Sequence, residues 1–356
     1  MSAECYDLAI IGGGQAGLAA AYQAKQENLD YIVFEGNEHI GQSWRDRYDS
    51  LTLFTPRRYS SLPDLPMDGD QDGYPTKDEV ATYLERYVDH HQLAVHLGEP
   101  VTELQKTEEL FHINTPRASY QSQSVVIATA PFQTPRVPEW HTELSIQNLH
   151  SAEYRNPSQI DGDEVLIVGG GNSGAQIAEE LAEHHDVTMA VASDMRFMQA
   201  NLLGKSLFWW LDMAGLLNAP TGTMRSKILE RRGDPIIGTS LKEYISNGIV
   251  AIKPAAQNGI GDSVTFADTT SETFDAVVWC TGYTQEYPWL RIAGALDESG
   301  RPYHQQGVAV NVERLCFMGL GWMRSRNSAL LGGVGRDAKQ IIQTLAQQIQ
   351  KRSNES

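Results

Sequence analysis

The chain has 356 residues, 28 basic against 45 acidic side chains and a formal net charge of -17. That length supports two domains, and the acidic balance excludes nucleic acid and an anionic membrane as expected partners. Glu4 and Asp7 stand where a secretory leader is basic, and the sequence has no apolar run of about eighteen residues, so a cytoplasmic protein with no membrane partner is expected.

In chain order, residues 6–11 read as an apolar strand that feeds Gly12-Gly13-Gly14-Gln15-Ala16-Gly17, followed by a helix-like run over 18–24 and a strand at 31–34 ending on Glu35. Each part of such a βαβ unit has a physical role. The first glycine makes the tight turn, the second lets backbone approach a pyrophosphate, the third lets helix and strand pack closely, and the acid accepts hydrogen bonds from a ribose. Gly41-Gln42-Ser43-Trp44 comes next, then arginines and a proline-rich loop over 55–75. A helix is predicted at 77–91, short strands at 93–97, 101–105 and 110–114, and a buried strand at 124–130. Pro131, Pro135 and Pro138 mark a crossover.

The logic then repeats. An apolar strand at 164–168 feeds Gly169-Gly170-Gly171-Asn172-Ser173-Gly174, a helix at 175–184 and a strand at 187–191. No carboxylate ends that strand, because Ala192 and Ser193 precede Asp194. Ser193 offers one hydrogen bond and Arg196 a charge to a 2′-phosphate, so relaxed use of NADPH and NADH is expected. Phe208-Trp209-Trp210-Leu211 predicts an aromatic helix within 202–217 that packs between domains, and 274–280 is a buried strand closed by Thr281-Gly282. A late strand at 315–319 precedes a glycine-opened final helix from Gly332 to about Gln350. The expected fold class is α/β, with two Rossmann-like dinucleotide-binding domains. The second, 156–282, is inserted into the first, 1–155 with 283–356.

Cys5, Cys280 and Cys316 form no C-x-x-C pair, so a thiol redox centre is not expected. His90-His91 and His184-His185 are adjacent pairs whose rings fall on different helix faces, which argues against a metal site.

The two fingerprints, Glu35, Gly41-Gln42-Ser43-Trp44, Ile127-Ala128-Thr129-Ala130 and Cys280-Thr281-Gly282-Tyr283 together resemble the flavin-containing monooxygenases over nearly the whole chain. The likeness is greatest to short bacterial members and to oxidoreductases accessory to cation efflux, with plant YUCCA-type enzymes more distant. It implies FAD on Gly12, Gly14, Gln15, Gly17 and Glu35, with Gly41, Gln42 and Trp44 beside the flavin and Val101 and Thr129 completing the site. It implies NADPH or NADH on Gly169, Gly171, Asn172, Ser173 and Gly174, with Ala192, Ser193, Arg196, Thr281 and Gly282 around it. The implied reaction is oxygenation of a soft nucleophile, a sulfide or an amine, by a C4a-(hydro)peroxyflavin formed from O2. A small-molecule substrate is the expected partner, and a homodimer the assembly allowed for.

The sequence departs from the family at several points. The family signature F-x-G-x-x-x-H-x-x-x-Y/F keeps only His150 and Tyr154, with Leu144 and Ile146 in place of its Phe and Gly. Ala130 replaces a glycine, and Thr55 stands where larger members carry an asparagine near the flavin. Thr55 is therefore a candidate hydrogen-bonding group toward flavin or oxygen, with a turn-stabilising hydroxyl as its other reading. His150 either orients the nicotinamide, links the domains or lies solvated in a loop. The degraded signature keeps open an NAD(P)H-dependent flavin reductase or diaphorase that passes electrons to a quinone, metal or carrier.

Overall fold

The computed structural model describes residues 4–355. Its first, nine-stranded sheet includes Cys5–Ile11 (β1), Tyr31–Phe34 (β2), Val95–His96 (β3), Glu103–Thr107 (β4), Leu110–Asn114 (β5), Ser119–Ile127 (β6) and the late strand Leu315–Phe317 (β12), and the second is built from Gln147–His150 (β7), Glu164–Val168 (β8), Asp186–Val191 (β9), Val250–Pro254 (β10) and Ala276–Trp279 (β11). Parallel pairing gives the order β3-β2-β1-β6-β12 in the first sheet and β10-β9-β8-β11-β7 in the second. The runs Leu8-Ala9-Ile10-Ile11, Ile32-Val33-Phe34 and Val165-Leu166-Ile167 are almost wholly buried. Strands covered on both faces need such unbroken apolar stretches, which is why these segments become central parallel strands.

The helices are Gln15–Gln26 (α1), Gln42–Arg45 (α2), Lys77–His91 (α3), Asn172–Leu181 (α4), Leu207–Met213 (α5), Met224–Arg232 (α6), Ser240–Ser246 (α7) and Leu331–Glu355 (α8). Thr76 starts α3 with a capping box, its hydroxyl accepting from Glu79 N at 3.3 Å while the Glu79 carboxylate accepts from Thr76 N at 2.8 Å. Such a pair satisfies two amides that the helix leaves open. None of the described helices is long and apolar enough to cross a membrane.

The structure corrects the sequence reading in three places. The second sheet begins at Gln147 rather than after residue 155, because β7 pairs with β11 from Gln147↔Ala276 to His150↔Trp279. In α4 the first turn is made of the fingerprint residues Asn172, Ser173 and Gly174, so the helix starts three residues before the expected 175. The aromatic segment is shorter than predicted. A hairpin of Asn201–Leu202 with Lys205–Ser206 comes first, and Ser206 then caps α5 by accepting from Trp209 N at 3.2 Å. Its buried Phe208 stacks on Phe54 and lies against Tyr59 of the first unit, with centroids 6.0 and 6.2 Å away, which is the inter-unit packing expected of it.

Two strips join the halves. Thr134–Pro135 pairs antiparallel with Tyr283–Thr284, so the outgoing and returning chain run side by side.

Candidate functional site

The two glycine fingerprints have the same geometry. Gly12 has φ +107°, and a Cβ there would sit 2.7 Å from the Ala128 carbonyl oxygen; Gly169 has φ +121°, and a Cβ there would strike the Cys280 carbonyl. A Cβ at Gly17 would collide with Gly12 O, and one at Gly174 with Gly169 O. The middle glycines differ, since a Cβ at Gly14 or at Gly171 would meet nothing within 4 Å. Each of these open points is the N-cap of a helix, α1 or α4, with no side-chain cap and no acid in the first turn. Two helix N-termini thus point their amides into open space, the cradle arrangement that binds a pyrophosphate. The donor set and the space fit two dinucleotides.

At the first cradle, Glu35 Oε2 accepts from Gly13 N at 2.7 Å, and its Oε1 from Asn37 N and Nδ2 at 2.9 and 2.7 Å. A carboxylate has about four acceptor sites, so capacity remains for ribose hydroxyls. Backbone bonds from Gly98 N to Asn37 O and from Glu99 N to Glu35 O, both 2.8 Å, bring the segment leading to Val101 alongside. Gln15 follows the cap in the first turn of α1. Gly41, at φ +75°, packs so closely on Ala81 that a Cβ would lie 2.8 Å from its Cα. It caps α2, where Gln42 Nε2 donates to Asp46 at 2.8 Å and Trp44 is half-buried against the first core. Thr129 follows Ala128 and its hydroxyl accepts from Gln133 Nε2 at 3.1 Å. Ala130 takes φ +58°, the left-handed conformation in which glycine is relaxed and alanine strained.

At the second cradle, Ala192 and Ser193 are exposed just past β9, and Arg196 is exposed with its carbonyl accepting from Ile236 N at 2.8 Å. The Asn172 side chain is used within the fold. It spans to the loop ahead of α7, accepting from Ile237 N at 3.0 Å and donating to Pro235 O at 3.2 Å, so only its backbone amide faces the cradle. Thr281 likewise turns its hydroxyl onto Arg136 O within the linker. Gly282, at φ +80°, offers its carbonyl to Arg136 N and His150 Nε2, both at 3.0 Å.

Both candidate catalytic residues are committed elsewhere. Thr55 is buried, its Oγ1 is 2.7 Å from Ser60 Oγ, and Ser60 also donates to Thr55 O at 3.0 Å. The hydroxyl closes a turn, as proline-flanked loops require. His150 is buried, not solvated: Nε2 donates to Gly282 O and Nδ1 accepts from Ala152 N at 3.1 Å, which fixes the neutral tautomer. Burial holds its pKa below the usual value, against a smaller opposing pull from the Gly282 hydrogen bond. Its ring packs edge-on against Tyr283, with centroids 5.0 Å apart.

Sequence reasoning missed the residues around that linker. Arg47 bonds the Tyr283 hydroxyl and lies over the rings of Phe132 and Tyr283, 5.4 and 5.2 Å from their centroids. Arginine next to a nucleotide segment suggests a phosphate contact; here the guanidinium is used on two aromatic faces. No local signal predicts this, because its partners lie 85 and 236 residues away.

The three cysteines are free, and burial pushes the Cys280 and Cys316 thiols up to about 12, which leaves both protonated. Among the described residues no group of His, Cys, Asp and Glu is arranged to hold a metal.

Residues 9–204 match the pyridine nucleotide-disulphide oxidoreductase family model, and residues 185–348 the flavin-binding monooxygenase-like model. A CzcO-like oxidoreductase of Geobacillus kaustophilus is 44% identical over 94% of this chain and 97% of its own. A probable indole-3-pyruvate monooxygenase of Arabidopsis thaliana is 28% identical over 82% of this chain and 79% of its own. Among solved structures, a flavin-containing monooxygenase from Stenotrophomonas maltophilia superposes with a TM-score of 0.81 at 27% identity, covering 96% of this chain and 98% of that one.

Proposed function

The chain belongs to the flavin-containing monooxygenase-like family, and from that premise we propose that it oxygenates soft nucleophiles, sulfides or amines. It is an oxidoreductase that uses FAD and NAD(P)H. Bound FAD supplies hydride acceptance and, once reduced, activation of dioxygen.

The observation that carries the reading is the pair of open helix N-termini at Gly14 and Gly171, each behind a glycine turn that admits no Cβ. In this reading the amides of Gln15 to Gly17 hold the FAD pyrophosphate and Glu35 its ribose, with Val101 beside the adenosine. The amides of Asn172 to Gly174 hold the nicotinamide dinucleotide, with Ser193 and Arg196 at its ribose end. His150 keeps the returning linker in place through Gly282, as a positioning residue.

The state of the side chains favours oxygen transfer over thiol chemistry. Neither Thr55 nor His150 is free to act as acid, base or nucleophile, and the Cys280 thiol beside the second cradle stays protonated. A reaction whose oxidant is formed on the cofactor asks the protein only to bind, orient and keep water out. Mixing reduced enzyme with oxygen, with and without NADP+, in the presence of an aryl alkyl sulfide tests this. Slower reoxidation with NADP+ bound, together with sulfoxide, is the expected result. Prompt reoxidation with hydrogen peroxide as the only product assigns the chain to flavin reductases instead.

A further inference from the structure

Residues 47–52 leave the flavin-side helix α2 and are bonded into the second unit. Tyr48 is 3% exposed and belongs to the second core, with Tyr154, Ile167 and Ala175. Its hydroxyl donates to Gln176 Oε1 at 2.6 Å. Gln176 Nε2 returns a bond to Thr52 O at 3.3 Å. Asp49 N donates to Arg155 O at 2.7 Å, and its carboxylate accepts from Asn156 Nδ2 at 2.8 Å. The other end of the segment is tied to the first unit, where Lys77 Nζ donates to Arg45 O at 2.9 Å and pairs with Asp49 at 3.3 Å.

Gln176 lies in the second turn of α4, the helix whose amides form the second cradle. Trp44 lies four residues before Tyr48, packed on the first core. We propose that Tyr48 is a positioning residue that relays occupancy of the second nucleotide site to the flavin segment, through its hydroxyl's hold on Gln176. This rests on the cofactor placement proposed above.

A pyrophosphate drawn onto the amides of Asn172 to Gly174 pulls on the helix that Tyr48 grips at Gln176. A close-packed, fully buried ring anchored at its tip passes a displacement on rather than absorbing it. Because coupling between two sites is reciprocal, the redox state of the flavin then changes nicotinamide affinity by the same factor.

The test is the visible difference spectrum that saturating NADP+ produces in bound oxidised FAD. Wild type is expected to show one, and Tyr48→Phe to retain FAD, bind NADP+ and lose it. The ratio of NADP+ affinities for oxidised and reduced enzyme should move toward unity by about threefold to tenfold, the equivalent of one buried hydrogen bond. Gln176→Leu removes the same bond from the other side and serves where Tyr48→Phe does not fold. A Tyr48→Phe enzyme with the full wild-type spectrum overturns the relay, as does a wild type that binds both nucleotides without a spectral response. A wild type that holds no FAD or no NADP+ overturns the cofactor placement itself, and the relay with it.

Discussion

In the proposed cofactor placement, one added side chain at Gly14 or Gly171 decides which nucleotide is lost. Both positions open into empty space, so valine is tolerated by the fold and fills the cradle instead. Gly14→Val is expected to give a folded, colourless protein, and Gly171→Val a yellow one whose nicotinamide KM rises about hundredfold, the loss of roughly two charge-assisted hydrogen bonds. Absorbance spectra and steady-state kinetics check both. Gly17→Val belongs to another class, because its Cβ strikes Gly12 O and the unit itself should fail to fold. At the far end of the second site, Ser193 is exposed past β9 and carries no charge. Ser193→Arg adds a guanidinium for a 2′-phosphate and should shift preference toward NADPH by about tenfold; no shift in the ratio of kcat/KM for the two nicotinamides means another residue discriminates. Thr55→Val should leave product formation unchanged and cost about 1 kcal/mol of stability, since only the hydroxyl bond to Ser60 is removed. A large loss of turnover at unchanged stability would return Thr55 to the site.

At the scale of elements, the linker makes stability depend on pH through His150. Its pKa lies below the ordinary 6.5 when folded, chiefly through burial. Below about 6.5 the unfolded chain therefore takes up a proton that the folded chain refuses, so this contribution is full above that pH and lost as pH falls through the folded value. His150→Gln should flatten part of the fall in Tm on acidification; an unchanged pH profile would remove His150 from the account. What was legible in the sequence follows the same division. The βαβ units were readable because strand, glycine turn, helix and acid lie within about thirty residues and each is set by local sterics. The linker was not, because His150 and Gly282 are 132 residues apart and Arg47 and Tyr283 236 apart. At Asn172 the sequence gives a place in the motif, while only the fold shows its side chain spent on Pro235 and Ile237. Ala130 is the converse, since its departure from the family pattern was visible in sequence while the φ of +58° that explains the glycine was not.

At the scale of the whole molecule, two sheets with parallel central strands, each with its own glycine turn, are held together by the paired strips around Pro135 and Tyr283, by Phe208 against Phe54 and Tyr59, and by the segment from Arg47 to Thr52. An enzyme so arranged brings two cofactors together and needs few reactive side chains of its own. On the proposed function, NAD(P)H oxidation is coupled to the transfer of one atom of dioxygen to the product, while the other is reduced to water. Turnover of an aryl alkyl sulfide under isotopically labelled dioxygen, with NADPH consumption followed alongside, tests it most directly. The account predicts sulfoxide carrying the label, in near-equal proportion to the NADPH oxidised; NADPH oxidation that yields hydrogen peroxide and unlabelled or no sulfoxide contradicts it.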